Sequence, residues 1–343
     1  MAFARSNPQR VMILCTTTGY QTRAFVSAAL ELGLEVSIGS DRCHTLKDPW
    51  RDGALALRFE DPESSARQIA ARAREVPVDG IVALGDRPVS TLARACELLG
   101  LPGHPPLAAD ACHDKFISHL RLRHAGVPAP PFARFSGESR EMLDAAQARI
   151  GFPCVLKPLG LSASQGVMRA NSAAEFLQRL ERLCAILRAP GVQVMREESS
   201  RYVQVERYIE GKEIAVEGLV DRGSVHVLAV FDKSDPLEGP YFEETIYVTP
   251  SRLEGAALGK AIRVVRKAVR ALGLFHGPFH AELRVNPHGI YMIDLAARSI
   301  GGLCSKALRF SSQPLGGDIS LEKLLTALAL GRNIHPVRRE LSA

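Results

Sequence analysis

The chain has 343 residues, with 46% apolar and 23% charged side chains and a formal net charge of +6. That length accommodates roughly two to three structural units at ~150 residues each, and the composition excludes a disordered or collagen-like chain and one that depends on disulfides. Apolar stretches such as residues 290–297 stop far short of the ~18 residues that cross a bilayer, so neither signal peptide nor membrane anchor is expected, and seven cysteines without a CxxC element imply reduced thiols in a cytoplasmic protein.

A positive balance suits a nucleic-acid partner only when it is clustered. Here the basic residues scatter among acids at helix-like intervals (Arg67, Arg72 and Arg74; Arg263, Arg266, Lys267 and Arg270), and no aromatic platform motif accompanies them. An anionic small ligand such as a nucleotide is favoured over nucleic acid.

Between residue 10 and about residue 99, short β-branched runs at 11–15, 35–38, 54–59 and 80–84 alternate with helical patterns at 21–32, 62–74 and 88–99. This alternation predicts parallel βαβ units. The first crossover, CTTTGYQTRAF, lacks GxGxxG and reads either as a plain βα turn or as one wall of a ligand crevice. LPGHPP at 101–106 reads as a linker and a domain boundary. A helix over 109–124 is predicted next, then AGVPAPPF as a second punctuation before a strand over 132–135. Further on, strands at 154–158, 167–170, 202–208, 213–220 and 225–231 surround one helix at 172–187, the pattern of an antiparallel sheet with helices packed on it.

Residues 280–296, HAELRVNPHGIYMIDLA, form a hairpin around Asn286, Pro287, His288 and Gly289. A three-residue loop, Pro287 to Gly289, pairs Asn286 with Ile290 and sets Glu282 directly opposite Asp294. The same register puts Ala281, Leu283, Val285, Tyr291, Ile293 and Leu295 on a core face, and His280, Glu282, Arg284, Met292, Asp294 and Ala296 on the other. Two opposed carboxylates ~5 Å apart destabilise a ladder unless a cation separates them. The polar face is therefore either a divalent-cation site, completed by phosphate and water, or a solvated face neutralised by Arg284. Arg298 continues the parity of Asp294 and reads as a fork for phosphate or carboxylate, or as a surface arginine before Gly301 and Gly302.

GFPCVLKPLGLSASQGV at 151–167 sets Lys157 at a strand end before Gly160, Ser162, Ser164 and Gly166. Small residues there let backbone N–H groups approach phosphate oxygens, although no GK[ST] closes the loop as in a Walker motif. YVQVERYIEGKE at 202–213 is an alternating strand with a turn at Glu210 and Gly211. Residues 231–251, rich in Pro and acids, read as a long loop. It is either a solvated connection or a cover over an acceptor site, in which Lys233 meets a carboxylate and Glu243 or Glu244 an ammonium group. His276 and His280 read as structural histidines or as bases.

Taken together and in order, DKF at 114–116, GFPCVLKP at 151–158, the Gly/Ser loop, VERYIEGKE at 205–213, HAELR at 280–284 and IDLAARSIGG at 293–302 resemble the ATP-grasp superfamily, most like its carboxylate–amine (L-amino acid) ligases, over roughly residues 10–330. The resemblance implies an N-terminal α/β domain over 1–106 and an α+β ATP-grasp region over 107–343. Within that region it implies a lid subdomain at about 134–207 and a C-terminal subdomain at about 208–343, whose antiparallel sheets enclose ATP.

It further implies that Lys115 and Lys157 bind the ATP phosphates while the loop bearing Gly160, Ser162, Ser164 and Gly166 closes over them. Glu206, Tyr208 and Ile209 would border the adenine, with Glu213 near the ribose. Glu282 and Asp294 would hold Mg²⁺ or Mn²⁺, and Arg298 with Lys157 would stabilise phosphoryl transfer. The chain departs from the family at Ala296, which replaces an asparagine and removes one oxygen donor from a second metal position. The implied function is activation of a carboxylate as an acyl phosphate followed by attack of an amine. A bicarbonate-using carboxylase and a nucleotide-binding protein without turnover are the alternatives. Expected partners are small-molecule carboxylates and amines and a second copy of the chain, with neither nucleic acid nor membrane. No cysteine is given a catalytic role.

Overall fold

The computed structural model describes residues 8–17, 19–41, 54–136, 140–193, 198–242 and 246–340. β1 (Arg10–Cys15), α1 (Thr22–Glu31), β2 (Glu35–Ser40), β3 (Leu55–Ala56), α2 (Pro62–Glu75), β4 (Gly80–Leu84) and α3 (Val89–Leu99) follow the predicted alternation. The four strands pair in parallel in the order β3-β2-β1-β4. Val11 to Leu14 are fully buried, as an apolar run covered on both sides of a parallel sheet must be.

The helix predicted over 109–124 is two helices, α4 (Pro106–His113) and α5 (Lys115–His124). Asp114 causes the break, since its carboxylate accepts from the N–H groups of Phe116 and Ile117 and so caps α5. Pro106 at the start of α4 makes the Pro-rich linker turn helical earlier than its composition suggests.

β5 (Phe132–Ser136), α6 (Arg140–Arg149), β6 (Cys154–Pro158), β7 (Met168–Ala170), α7 (Ala173–Arg188), α8 (Pro190–Gln193) and β8 (Tyr202–Arg207) come next. Their strands form an antiparallel sheet in the order β5-β8-β6-β7. Phe176, Leu180 and Leu183 of α7 pack on Leu156 and Val205 of this sheet.

The larger antiparallel sheet uses β9 (Lys212–Asp221), β10 (Ser224–Lys233), β11 (Tyr247–Val248), β12 (Gly277–Asn286) and β13 (Gly289–Ala296), in the order β11-β10-β9-β12-β13. One face is covered by α9 (Gly255–Leu272), whose Ala261, Val265, Ala268, Val269 and Leu272 meet Val216, Phe279 and Leu283. The expected long loop over 231–251 is shorter than predicted: β10 runs through Lys233, and Asp232 and Lys233 pair with Val248 and Tyr247. Glu243 and Glu244 lie outside the described residues.

β14 (Arg309–Ser312), β15 (Gly317–Ser320), α10 (Leu321–Ala329) and β16 (Arg338–Glu340) close the chain, with strand order β15-β14-β16. α10 returns to the start of the molecule. Leu321, Leu324, Leu325 and Leu328 share one core with Val11, Ile13 and Val82 of the parallel sheet and with Leu219 and Phe231 of the larger one. Each fully buried leucine stabilises this joint by roughly 2 kcal/mol, so the sequence-distant ends of the chain hold each other in place. Among the described residues no helix is long and apolar enough to cross a membrane.

The hairpin differs from its predicted register in one instructive way. Asn286 pairs with Gly289 across a two-residue turn, and its carboxamide oxygen accepts from the N–H groups of His288 and Gly289. A bulge beside Glu282 then inserts one extra residue on β13 and restores the pairing of Glu282 with Asp294. The predicted opposition of the two acids holds, but the facing of β13 is corrected between turn and bulge: Ile290 and Met292 enter the core, while Ile293 faces the cavity with Asp294.

Candidate active site

A cavity of about 570 Å³ lies between the two antiparallel sheets and reaches the C-terminal edge of the parallel sheet. Lys115, Lys157, Gly160, Ser162, Ser164, Glu206, Tyr208, Ile209, Glu213, Glu282, Asp294 and Arg298 all line it. Of the residues expected to contact nucleotide or metal, Gly166 does not. It has φ +76°, and a Cβ there would meet Leu183 Cδ1 at 2.9 Å, so this glycine serves close packing of the loop on α7 rather than access to the cavity.

Lys115 stands at the first position of α5, aimed by the Asp114 cap, and donates to Leu161 O at 2.9 Å with Asp294 Oδ2 at 3.6 Å. Lys157 lies at the end of β6, where its ammonium meets Glu206 Oε2 at 2.7 Å. Glu206 is buried and also accepts from Gln204 Nε2 at 2.7 Å, with His119 Nε2 at 3.3 Å. Burial pushes the Glu206 carboxyl up, but Lys157 and His119 outweigh it and hold the group below the usual carboxylate range.

The larger sheet carries a ladder of alternating charge. Because side chains alternate along a strand, Glu213 and Glu217 of β9, His280, Glu282 and Arg284 of β12, and Lys233 of β10 share the cavity face. Lys233 Nζ joins Glu213 at 2.7 Å and Glu282 at 3.0 Å, and Arg284 Nε donates to Glu213 at 2.7 Å. Glu282 is further approached by His280 Nε2 at 3.5 Å. Burial opposes ionisation of Glu282, yet Lys233 and His280 hold it well below its ordinary value. Glu217 behaves oppositely: it is fully buried, and burial outweighs His280 at 3.3 Å and the Ile300 N–H at 3.0 Å, so its carboxyl is pushed up. His280 is buried too, which lowers it, but Glu217 and Glu282 raise it above the normal imidazole value. Lys233 thus belongs to a packed charge network, not to a solvated connection. His276, bonded through Nε2 to Leu328 O at 2.9 Å, is the structural histidine of the predicted pair.

Arg298 Nε donates to Asp86 Oδ1 at 2.8 Å and Nη1 donates to Ser299 O at 2.9 Å. Asp86 follows β4, so the parallel sheet reaches the site through this pair. Burial resists ionisation of Asp86, but Arg298 wins and lowers it, while Asp86 overcomes the burial of Arg298 and raises the guanidinium. Asp86 was not picked out from the sequence. The available signal was its position just past a parallel strand, at the edge where open α/β sheets place ligands. Nearby, Gly302 N donates to the Tyr20 hydroxyl and Gln21 Nε2 donates to Ile300 O at 3.2 Å, so the CTTTGYQTRAF crossover backs the 300–302 segment that lines the cavity without lining it itself.

The donor set suits a hard divalent ion. Glu282 and Asp294 oppose each other across the ladder, and among the described residues no cluster of three or more His, Cys, Asp or Glu side chains forms a self-sufficient metal cage. Two carboxylates with phosphate and water supplying the rest is the way Mg²⁺ is held, whereas Zn²⁺ needs more protein ligands. Ala296 lines the cavity one turn of the pleat beyond Asp294 and contributes only a methyl group.

The family profile described as ATP-grasp domain matches residues 150–307, and the one described as ATP-grasp N-terminal domain matches residues 26–103. The chain carries ATP-grasp domains. Its relatives include the alanine–anticapsin ligase of Bacillus subtilis, 29% identical over 253 residues, covering 70% of this chain and 52% of that protein. A Synechococcus D-alanine–D-alanine ligase is 30% identical over 199 residues, 55% of each chain. The chain spans about half the length of these curated relatives. Among solved structures, the L-amino acid ligase of Bacillus licheniformis superposes with a TM-score of 0.74 at 26% identity, covering 95% of this chain and 75% of that one. The biotin carboxylase domain of Hydrogenobacter thermophilus 2-oxoglutarate carboxylase gives 0.70 at 19% identity, covering 94% and 70%. At that identity it speaks for the ATP-grasp fold alone.

Proposed function

We propose that this ATP-grasp chain is the catalytic part of an ATP-dependent carboxylate–amine ligase, which activates a carboxylate as an acyl phosphate and passes the acyl group to an amine. The observation that carries this reading is the convergence, in one cavity between two antiparallel sheets, of Lys115, Lys157 and Arg298 with the opposed acids Glu282 and Asp294. The ligase names among the relatives support amide formation over bicarbonate fixation.

In this reading Val155, Tyr208, Ile209 and Phe242 wall the purine end, where Tyr208 and Phe242 stack with centroids 6.5 Å apart. Lys115 and Lys157 face the phosphates, and the loop bearing Gly160, Ser162 and Ser164 offers backbone N–H groups to them. Glu213, held by Lys233 and Arg284, borders the ribose. Glu282 and Asp294 would hold Mg²⁺, which when bound neutralises phosphate charge that otherwise repels the incoming carboxylate. Arg298, fixed through Nε by Asp86 and through Nη1 by Ser299 O, presents its remaining N–H groups to the oxygens of the transferred group. Carboxylate oxygen attacks the γ-phosphorus and ADP leaves; the amine then attacks the acyl carbon, and phosphate departs as the amine loses its proton. Positioning and electrostatics supply the catalysis, and no side-chain nucleophile is needed.

The test is ADP release with Mg²⁺ across a panel of carboxylates, amines and bicarbonate. Release that needs both a carboxylate and an amine, with amide product, is expected. Release with bicarbonate and no amine would replace the ligase reading by the carboxylase one. Nucleotide binding with no release under any mixture would favour a protein without turnover.

A further inference from the structure

His119 has one ring nitrogen that the structure leaves buried without a hydrogen-bond partner. Its Nδ1 lies 2.9 Å from Lys115 O, one turn back on α5. A carbonyl oxygen only accepts, so Nδ1 carries the hydrogen and, in the neutral ring, Nε2 is a bare lone pair. That lone pair is buried without a hydrogen-bond partner and faces Glu206 Oε1, another acceptor, at 3.3 Å. The ring is 1% exposed and packs edge-on to Phe132 with centroids 5.1 Å apart, and Nε2 itself is buried. With Lys157 on Glu206 the carboxylate is balanced. Burial then keeps His119 below its normal value, against the pull of Glu206.

The proposed function gives Lys157 a second task, and the inference rests on that reading. An ammonium drawn toward a triphosphate leaves Glu206, which is 2% exposed, with only Gln204 as a donor. A buried carboxylate that loses its cation is destabilised by several kcal/mol. We propose that His119 takes up a proton from solvent at Nε2 when nucleotide draws Lys157 off Glu206, so that nucleotide binding is linked to proton uptake. The new Nε2–H donates to Glu206 Oε1 and turns a contact between two acceptors into a charge-assisted hydrogen bond. His119 is therefore a positioning residue: it keeps Glu206 ionised and in place beside the purine while the lysine is engaged elsewhere.

The groups facing His119 fit this role. From its own helix comes the carbonyl of Lys115; from β8, Glu206 with Gln204 bonded to it; from β6, Lys157, paired with that same Glu206; from β5, the uncharged Phe132 ring. Asp294 of β13 adds a more distant negative field that favours the proton, and Lys157 a positive one that opposes it. Movement of Lys157 toward phosphate removes the opposing charge.

The test is calorimetric titration with MgADP in buffers of different ionisation enthalpy, at about pH 7 and about pH 8, above the titration range of a phosphate ester. The expected result is net proton uptake approaching one per nucleotide at the lower pH, and an affinity that falls as pH rises. His119→Gln, whose amide donates to Glu206 without ionising, is expected to bind ADP about tenfold more weakly and to show neither uptake nor a pH slope. Glu206→Gln is expected to lose the uptake as well, and thermal unfolding of both variants checks that they fold. Binding without uptake in the parent protein, or uptake that persists in either folded variant, would overturn the inference alone. Failure of ADP to bind at any pH would overturn the nucleotide reading and the inference with it.

Discussion

The two walls of the cavity handle buried charge in different ways. On the side of the smaller, four-stranded sheet one carboxylate, Glu206, has a single ammonium, Lys157, with His119 and Gln204 behind it. On the opposite wall, charges alternate over several rungs: Arg284, Glu213, Lys233, Glu282, His280 and Glu217 each touch the next. Removing Lys157 from the first arrangement leaves its acid without an ammonium or guanidinium, whereas removing Lys233 from the second leaves Glu213 with Arg284 and Glu282 with His280. The wall built on the smaller sheet is thus the one whose charge balance is open to a shift, and the larger sheet carries the opposed acids on a continuous charge network.

The sharpest stress on that contrast is Lys157→Met. It is expected to lower unfolding free energy by about 3–5 kcal/mol, the cost of breaking a buried pair from one side, and Lys157→Met/Glu206→Gln is expected to recover much of it in urea titrations. A single variant no less stable than the double would contradict the one-cation description of the smaller sheet's wall. Lys233→Met removes a cation of similar burial, yet is expected to cost only about 1–2 kcal/mol, because Glu213 retains Arg284 and Glu282 retains His280. Equal losses at Lys157 and Lys233 would erase the distinction.

Acid titration probes both walls at once. Glu206 and Glu282 have lowered values in the folded protein, so their stabilisation is fully present above the unfolded-state value of about 4.3 and is lost as pH falls through it toward the folded values. The urea midpoint is expected to drop along that limb, less steeply in Glu206→Gln. Glu217 has the opposite sign. Since burial raises it, Glu217→Gln is expected to change stability at neutral pH by less than about 1 kcal/mol, the smallest effect of the series; a loss as large as that of Lys157→Met would show that the ladder needs its terminal charge.

Local chemistry was legible in the sequence, and long-range geometry was not. The opposition of Glu282 and Asp294 followed from period-two alternation and turn residues, and it survived although the turn is one residue shorter, because the bulge adds that residue back. Nothing in the pattern of residues 290–293 announces a bulge, so the exchange of Met292 and Ile293 between faces could not be read. The split at Asp114 was hidden by an unbroken helical pattern whose cap only its side-chain bonds reveal. Asp86 and Arg298 stand 212 positions apart, and α10 reaches β1 across nearly the whole chain. Such contacts depend on how layers stack, which no local pattern encodes. His119 was passed over because a histidine inside an amphipathic helix looks like any core residue until its two ring nitrogens are given partners.

The central claim is that Glu282 and Asp294 grip one divalent ion so that ATP is held for cleavage between the sheets. The most direct measurement is Mg²⁺-dependent ADP formation by the parent protein, Glu282→Gln and Asp294→Asn at saturating carboxylate and amine. The account predicts a loss of at least about 100-fold in kcat for each variant, with the fold and the cavity retained. Parental rates in either variant would contradict it.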